Sequence, residues 1–100
     1  MNQQAKYIVI DLGDGIETPI IFPDHLTHAE VAQKFVGRRE GIISAGFCQA
    51  ITENKETKHT NPIRYSVPVI TAWGASISLK LKCREKEDKA LLNKMMTYQE

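Results

Sequence analysis

The stretch Lys6-Tyr7-Ile8-Val9-Ile10-Asp11-Leu12-Gly13-Asp14-Gly15-Ile16-Glu17-Thr18-Pro19-Ile20-Ile21-Phe22 decides the fold class. Tyr7 to Ile10 are β-branched or aromatic without alternation, so a strand over Lys6–Leu12 is expected to be covered on both faces. Gly13-Asp14-Gly15 has the residues that tight hairpin turns prefer. Ile16–Phe22 is a second apolar run broken by Pro19. Proline cannot donate to a β-ladder, which puts this strand at an edge or gives it a bulge. The pattern predicts a β-hairpin.

Working outward, Thr27 to Glu30 matches a capping box, with Leu26 and Val31 at the spacing of a hydrophobic staple. Val31 and Phe35 are i,i+4 neighbours, and Gly37 stands where helices stop. A helix is predicted over His28–Val36, followed by the charged connector Arg38-Arg39-Glu40-Gly41. Ile42–Ile51 reads as a strand with Ile43, Ala45 and Phe47 on one face and the small residues Ser44, Gly46, Cys48 and Ala50 on the other. Thr52–Pro62 has no large apolar residue and is expected to be a long mobile loop.

Ile63–Trp73 is again strand-like, with Pro68 implying an edge or a bulge. Gly74-Ala75 is expected to turn the chain. Ser76–Cys83 alternates cleanly: Ile77, Leu79, Leu81 and Cys83 fall on one side, Ser76, Ser78, Lys80 and Lys82 on the other. That pattern predicts a half-buried strand. Glu85–Tyr98 carries acids in its first turn and an apolar stripe that includes Leu91, Leu92, Met95 and Met96, as a helix requires. The reading is a single α+β domain over residues 1–100. It has a mainly antiparallel sheet of four to five strands, two helices on one face, and the order ββαβββα.

Composition narrows function more than it defines it. The 100 residues include 13 basic and 12 acidic side chains, 42% hydrophobic and 25% charged residues, as in ordinary globular domains. No apolar run approaches the roughly 20 residues of a membrane helix. The first residues lack the pattern of a secretory signal, and two cysteines are too few for a disulfide framework. A cytoplasmic protein with free thiols and no membrane partner is expected.

No residue set assembles into recognisable chemistry. His25-x-x-His28, with Asp24, Cys48 and Cys83, lacks the paired short spacings of a zinc site. Cys48 with His25, His28 or His59 lacks an electropositive setting and a nucleophile-elbow pattern. Gly13-Asp14-Gly15 precedes a strand and lacks the Lys-Ser/Thr pair of a phosphate loop. No catalytic residue, metal or cofactor is assigned.

Charge is uneven along the chain: residues 1–31 carry one lysine against five acids, and the excess of bases lies downstream. Lys80, Lys82 and Arg84 form a basic stripe on the predicted strand, with Arg38, Arg39 and Arg64 as possible extensions. With Tyr65 or Trp73 nearby, the stripe suits a phosphate backbone or nucleotide, while solvated lysines that deter edge aggregation are the plainer reading. Trp73 suits either a core or an interface, and since the adjacent Met95 and Met96 cannot both face the core, one of them suits a contact with a partner subunit.

Ile20–Pro23, His28–Glu30, Ser44–Cys48, Trp73–Ser76 and Ser78–Leu81, followed by an acidic helix start, together resemble short proteins encoded in phages and prophages. The resemblance implies a bacterial cytoplasm and an accessory role, and it assigns no functional residue. The expected function is non-enzymatic protein–protein binding as a homo-oligomer. The alternative is a nucleic-acid or nucleotide-binding module using Lys80, Lys82 and Arg84.

Overall fold

The computed structural model describes residues 4–13, 15–35 and 41–97. Strand β1 (Ala5–Asp11) and strand β2 (Glu17–Pro23) form the expected hairpin, in register from Ala5 opposite Pro23 to Asp11 opposite Glu17. Helix α1 (His28–Phe35) follows, then the long strand β3 (Ile42–Glu56) and β4 (Arg64–Trp73). The chain closes with the two-residue strands β5 (Ala75–Ser76) and β6 (Leu81–Lys82) and helix α2 (Glu85–Thr97). The four main strands lie in the order β2-β1-β3-β4, all antiparallel, and β5 pairs with β6 in a separate two-stranded sheet. This is an α+β fold in the order ββαβββα, with the small β5–β6 hairpin in the last β position.

Both proline-containing strands are edges. β2 carries Pro19 and β4 carries Pro68 at the two outsides of the sheet, where a missing N–H leaves no gap in the interior ladder. β1 lies inside and is covered on both faces, as its unbroken apolar run requires. Ile8 and Ile10 pack with Val31 and Ala32 of α1, Phe22, Ala45 and Leu79. Tyr7 and Val9 pack with Leu92 of α2, Cys48, Ile70 and Ala72. The helices therefore cover opposite faces, not one. A central strand with two apolar faces needs two covers, and each helix supplies one apolar stripe.

The N-terminus of α1 is closed by side chains. Thr27 Oγ1 accepts from the Glu30 amide at 3.1 Å and donates to the Glu30 carboxylate at 3.1 Å. Leu26 and Val31 meet in the same apolar cluster, completing the staple. Ser78 Oγ adds a bond from the Ala29 amide at 3.2 Å. The helix stop assigned to Gly37 and the connector with Arg38 and Arg39 lie outside the described residues, as does Tyr98.

Two elements depart from the sequence reading. Ser76–Cys83 is not a continuous strand but a hairpin with a turn over residues 77–80. Ser76 Oγ accepts from the Leu79 amide at 3.2 Å, Lys80 N donates to Ile77 O at 3.3 Å, and Lys80 adopts φ 57°. A serine that bonds its own downstream backbone competes with strand pairing. Leu79 is thus buried, whereas Ile77 is 94% exposed.

The second departure is Thr52–Pro62, which is strand as far as Glu56. Its polar side chains are held by pairing with β4: Asn54 accepts from Ser66 at 3.1 Å, and Arg64 meets Glu56 at 3.2 Å. Only the segment 57–63 remains as loop, closed by Thr57 N to Ile63 O at 3.0 Å.

Gly46 marks the crossing point of the chain. A Cβ there would stand 2.6 Å from the Trp73 carbonyl oxygen and 3.1 Å from Cys83 Cβ. Only glycine lets the end of β4 pass this close before Gly74, at φ +80°, turns the chain into the β5–β6 hairpin.

Candidate interaction surface

β1 pairs with β3 only as far as Cys48, opposite Ala5. From Gln49 to Glu56, β3 pairs with β4 alone among the described strands. The sheet thus continues as a two-stranded ribbon. The molecule measures 54 × 31 × 24 Å, and its radius of gyration of 15.5 Å exceeds the roughly 13 Å of a compact chain this long.

Register assigns the ribbon's faces. Ile51, Glu53 and Lys55 stand opposite Val69, Val67 and Tyr65, which share one face because side chains alternate. Tyr65 is 47% exposed and Ile63, just beyond it, 65% exposed, while Val67 and Val69 are half-buried. The opposite face carries Thr52, Asn54 and Glu56 against Pro68, Ser66 and Arg64.

The two long edges of the ribbon differ. In an antiparallel ladder, backbone N–H and C=O groups point alternately toward the partner strand and away from it. The Ile70 N–H donates to Asn93 Oδ1 at 2.9 Å, and Asn93 Nδ2 donates to Ile70 O at 2.8 Å. The carboxamide of α2 therefore occupies the outward edge of β4 as a further strand would. Pro68, of the same parity, has no N–H to offer there. The outer edge of β4 is thus blunted in the way exposed sheet edges usually are. On β3 the outward residues are the partners of this set: Thr52, Asn54 and Glu56. No described strand pairs with them on that side.

The ribbon's charges are mixed. Glu53 lies 3.8 Å from Lys55 on its own strand and 3.9 Å from Lys89 of α2. All these side chains are substantially solvated, so each pair contributes little to stability.

The residues of the proposed basic stripe occupy separate elements. Arg64 sits at the far end of the ribbon against Glu56. Lys80 is in the β5–β6 turn and Lys82 on β6, both exposed. Arg84 is drawn inward at the start of α2. Its guanidinium lies 2.8 Å from Asp88 and 3.0 Å from Glu17, which raise its pKa against the opposing effect of burial. Arg38 and Arg39 lie outside the described residues. Trp73 is half-buried at the base of the ribbon and stacks on Phe47, with ring centres 6.2 Å apart. Lys6 Nζ stands 5.9 Å from the Phe47 ring centre, and its ammonium donates to Leu26 O at 2.9 Å.

Sequence reasoning missed the buried polar node centred on Asp88. Asp88, Tyr7 and Ser44 are each fully buried. The Tyr7 hydroxyl donates to Asp88 Oδ2 at 2.6 Å and lies 2.9 Å from Cys83 Sγ. Ser44 Oγ donates to Oδ1 at 2.9 Å, and Arg84 adds its backbone N–H and two guanidinium N–H groups. Burial, followed by the bond to Asp88, pushes the Tyr7 phenol far above its ordinary value. The node ties β1, β3, β2 and α2 together through satisfied bonds. The only available signal was Asp88 in an acidic helix start, which the helix dipole already explained.

Of the histidine and cysteine candidates, His28, Cys48 and Cys83 have internal partners or apolar surroundings, whereas His25 and His59 are exposed. The buried His28 ring packs edge-on between Phe22 and Phe47, with Nε2 2.8 Å from Gly46 O. Burial lowers its pKa, the bond to Gly46 opposing and Lys6 reinforcing the shift. Burial alone pushes the Cys48 thiol up to about 11, far from a reactive thiolate at neutral pH. Among the described residues no three His, Cys, Asp or Glu side chains converge as metal ligands, and no helix is long and apolar enough to cross a membrane. Comparison with protein-family models, with curated proteins and with solved structures gave no match.

Proposed function

We propose that the protein is a non-enzymatic binding protein that works by protein–protein contact as a homo-oligomer, with the β3–β4 ribbon as its contact element. The observation that carries this reading is the outer ribbon, Thr52–Glu56 against Arg64–Pro68, which extends past the other described strands of the sheet. A two-stranded ribbon is marginally stable alone in water and gains from a further strand or an apolar cover. The exposed Ile63 and Tyr65 and the open edge of β3 give a partner both apolar area and backbone hydrogen bonds. The buried Cys48 thiol, held protonated by its surroundings, and the saturated Asp88 node favour binding over catalysis.

The resemblance to short phage and prophage proteins adds a bacterial cytoplasmic setting to this reading. Binding of nucleic acid through Lys80, Lys82 and Arg84 has less support, since Arg84 already answers two carboxylates. The test is an amide NMR dilution series from about 1 mM down to 20 µM. Concentration-dependent shifts concentrated in residues 51–56 and 64–69 are expected. Shifts confined to another surface, or none, would overturn the ribbon as contact element.

A further inference from the structure

We infer that the open edge of β3 pairs with the same edge of a second copy, antiparallel and centred on Asn54. The inference rests on the ribbon being the contact element and specifies its register. Two observations lead to it.

The first is which edge is open. Asn93 and Pro68 interrupt the outer edge of β4 at residues 70 and 68, leaving only Ser66 and Arg64 facing outward there, whereas Thr52, Asn54 and Glu56 present an uninterrupted row of N–H and C=O groups unpaired among the described strands. Two such rows pair only when outward residues meet outward residues, so the two-fold axis must pass through a residue of β3 or its pair, not between them.

The second is charge. In Thr52-Glu53-Asn54-Lys55-Glu56, an axis at Asn54 sets Glu53 against the partner's Lys55 and Lys55 against the partner's Glu53. Those are non-hydrogen-bonded pairs, where side chains approach most closely. Moving the axis to Glu53 puts Glu53 against the partner's Glu53, and moving it to Lys55 opposes two lysines. Like charges directly opposite are destabilising, so only the Asn54 register is self-complementary. At that register Asn54 faces the partner's Asn54 in a hydrogen-bonded pair, and the row of backbone bonds runs from Thr52 to Glu56. The product is a continuous four-stranded sheet with β3 at its centre and the blunted β4 edges outside. Such an assembly is closed, because the two-fold uses the β3 edge of both copies and the outer β4 edges are interrupted by Asn93 and Pro68.

Sedimentation equilibrium on charge variants of the full chain tests the register. Glu53→Lys and Lys55→Glu alter solvated side chains whose ion pairs, with each other and with Lys89, contribute little to the fold. Each alone is expected to weaken self-association on the order of tenfold, by replacing two attractive pairs with two repulsive ones. The double variant E53K/K55E restores the pairing and is expected to associate like the parent chain. An equimolar mixture of the two single variants is expected to form heterodimers more tightly than either variant self-associates.

Single variants that associate like the parent, a double variant as weak as the singles, or a mixture without recovery would overturn the register. Paired with ribbon-centred NMR shifts, such a result leaves the ribbon as contact element and removes only this geometry. A second measurement is independent of charge. Asn54→Cys places two thiols across a hydrogen-bonded pair, about 5.5 Å between Cα atoms, within disulfide reach. Oxidation is expected to give a covalent dimer that the parent chain does not form. Failure to cross-link under conditions where the chain self-associates would contradict the two-fold at Asn54.

Discussion

The body around β1 and the ribbon at the end of β3 are built from the same antiparallel ladder, yet they are stabilised in different ways. In the body both faces are covered, and Tyr7, Ile8 and Val9 are wholly buried. Its polar groups had to find partners inside: Asp88 collects Tyr7, Ser44 and Arg84, and His28 meets Gly46 O. In the ribbon the polar groups pair across two strands in water, and the apolar residues Ile63 and Tyr65 are exposed. Low dielectric makes each bond in the body costly to break, whereas water substitutes for those in the ribbon. A region that is cheap to alter and open along one edge is where a partner can be accommodated without disturbing the fold.

That contrast can be broken by substitution. The largest effect is expected for Asp88→Ala, which strips the Arg84 guanidinium of a buried partner, removes the acceptor of the Ser44 hydroxyl and leaves the Tyr7 hydroxyl only Cys83 Sγ. Chemical denaturation should show a loss of about 3–5 kcal/mol, a large share of the roughly 5–15 kcal/mol available to a domain this size. Gly46→Ala comes next. Its Cβ would meet the Trp73 carbonyl at 2.6 Å, which backbone movement must relieve, and a loss of about 1–3 kcal/mol is expected by the same measurement.

A smaller effect is carried by pH. His28 is held neutral by burial, so its folded pKa lies below the ordinary value of about 6.5. Below that value the unfolded chain takes up a proton that the folded chain refuses. Stability is therefore complete above about pH 6.5 and falls as pH drops toward the folded pKa. Thermal melts between about pH 7 and pH 5 should show this decline, and His28→Gln should flatten it. The smallest effect belongs to the ribbon: Ser66→Ala removes the bond to Asn54 and should change stability by about 0.5 kcal/mol or less in dilute solution. A loss as large as that of Asp88→Ala would erase the distinction between the regions.

The parts of the molecule legible in the sequence are those governed by neighbours along the chain. The capping box at Thr27, the staple of Leu26 and Val31, and the edge strands marked by Pro19 and Pro68 all follow from local stereochemistry. The apolar run at Tyr7–Ile10 announced two covered faces, although the helices were assigned to one. Strand pairing of Thr52–Glu56 was hidden because polar residues fill both faces there, and the stabilising contacts with Arg64 and Ser66 come from the opposite strand. Ser76–Cys83 misled because period-two alternation does not distinguish a strand from a short hairpin whose serine closes the turn. The buried node of Asp88 and Arg84 gave no signal as such because its other members Tyr7, Ser44 and Glu17 are distant in sequence. Of the proposed surface residues, Arg64 and Trp73 belong to β4, at the end and base of the ribbon, whereas Lys80, Lys82 and Arg84 lie on other elements.

Amide-resolved hydrogen exchange at two protein concentrations tests the central contrast most directly. In dilute solution Tyr7–Ile10 should exchange only through global opening, while the outward amides of Thr52, Asn54 and Glu56 exchange nearly unprotected. At high concentration those three amides should gain protection together, with Tyr7–Ile10 unchanged. Slow exchange at Asn54 in dilute solution, or exchange there that ignores concentration, would contradict an open β3 edge that a second copy completes.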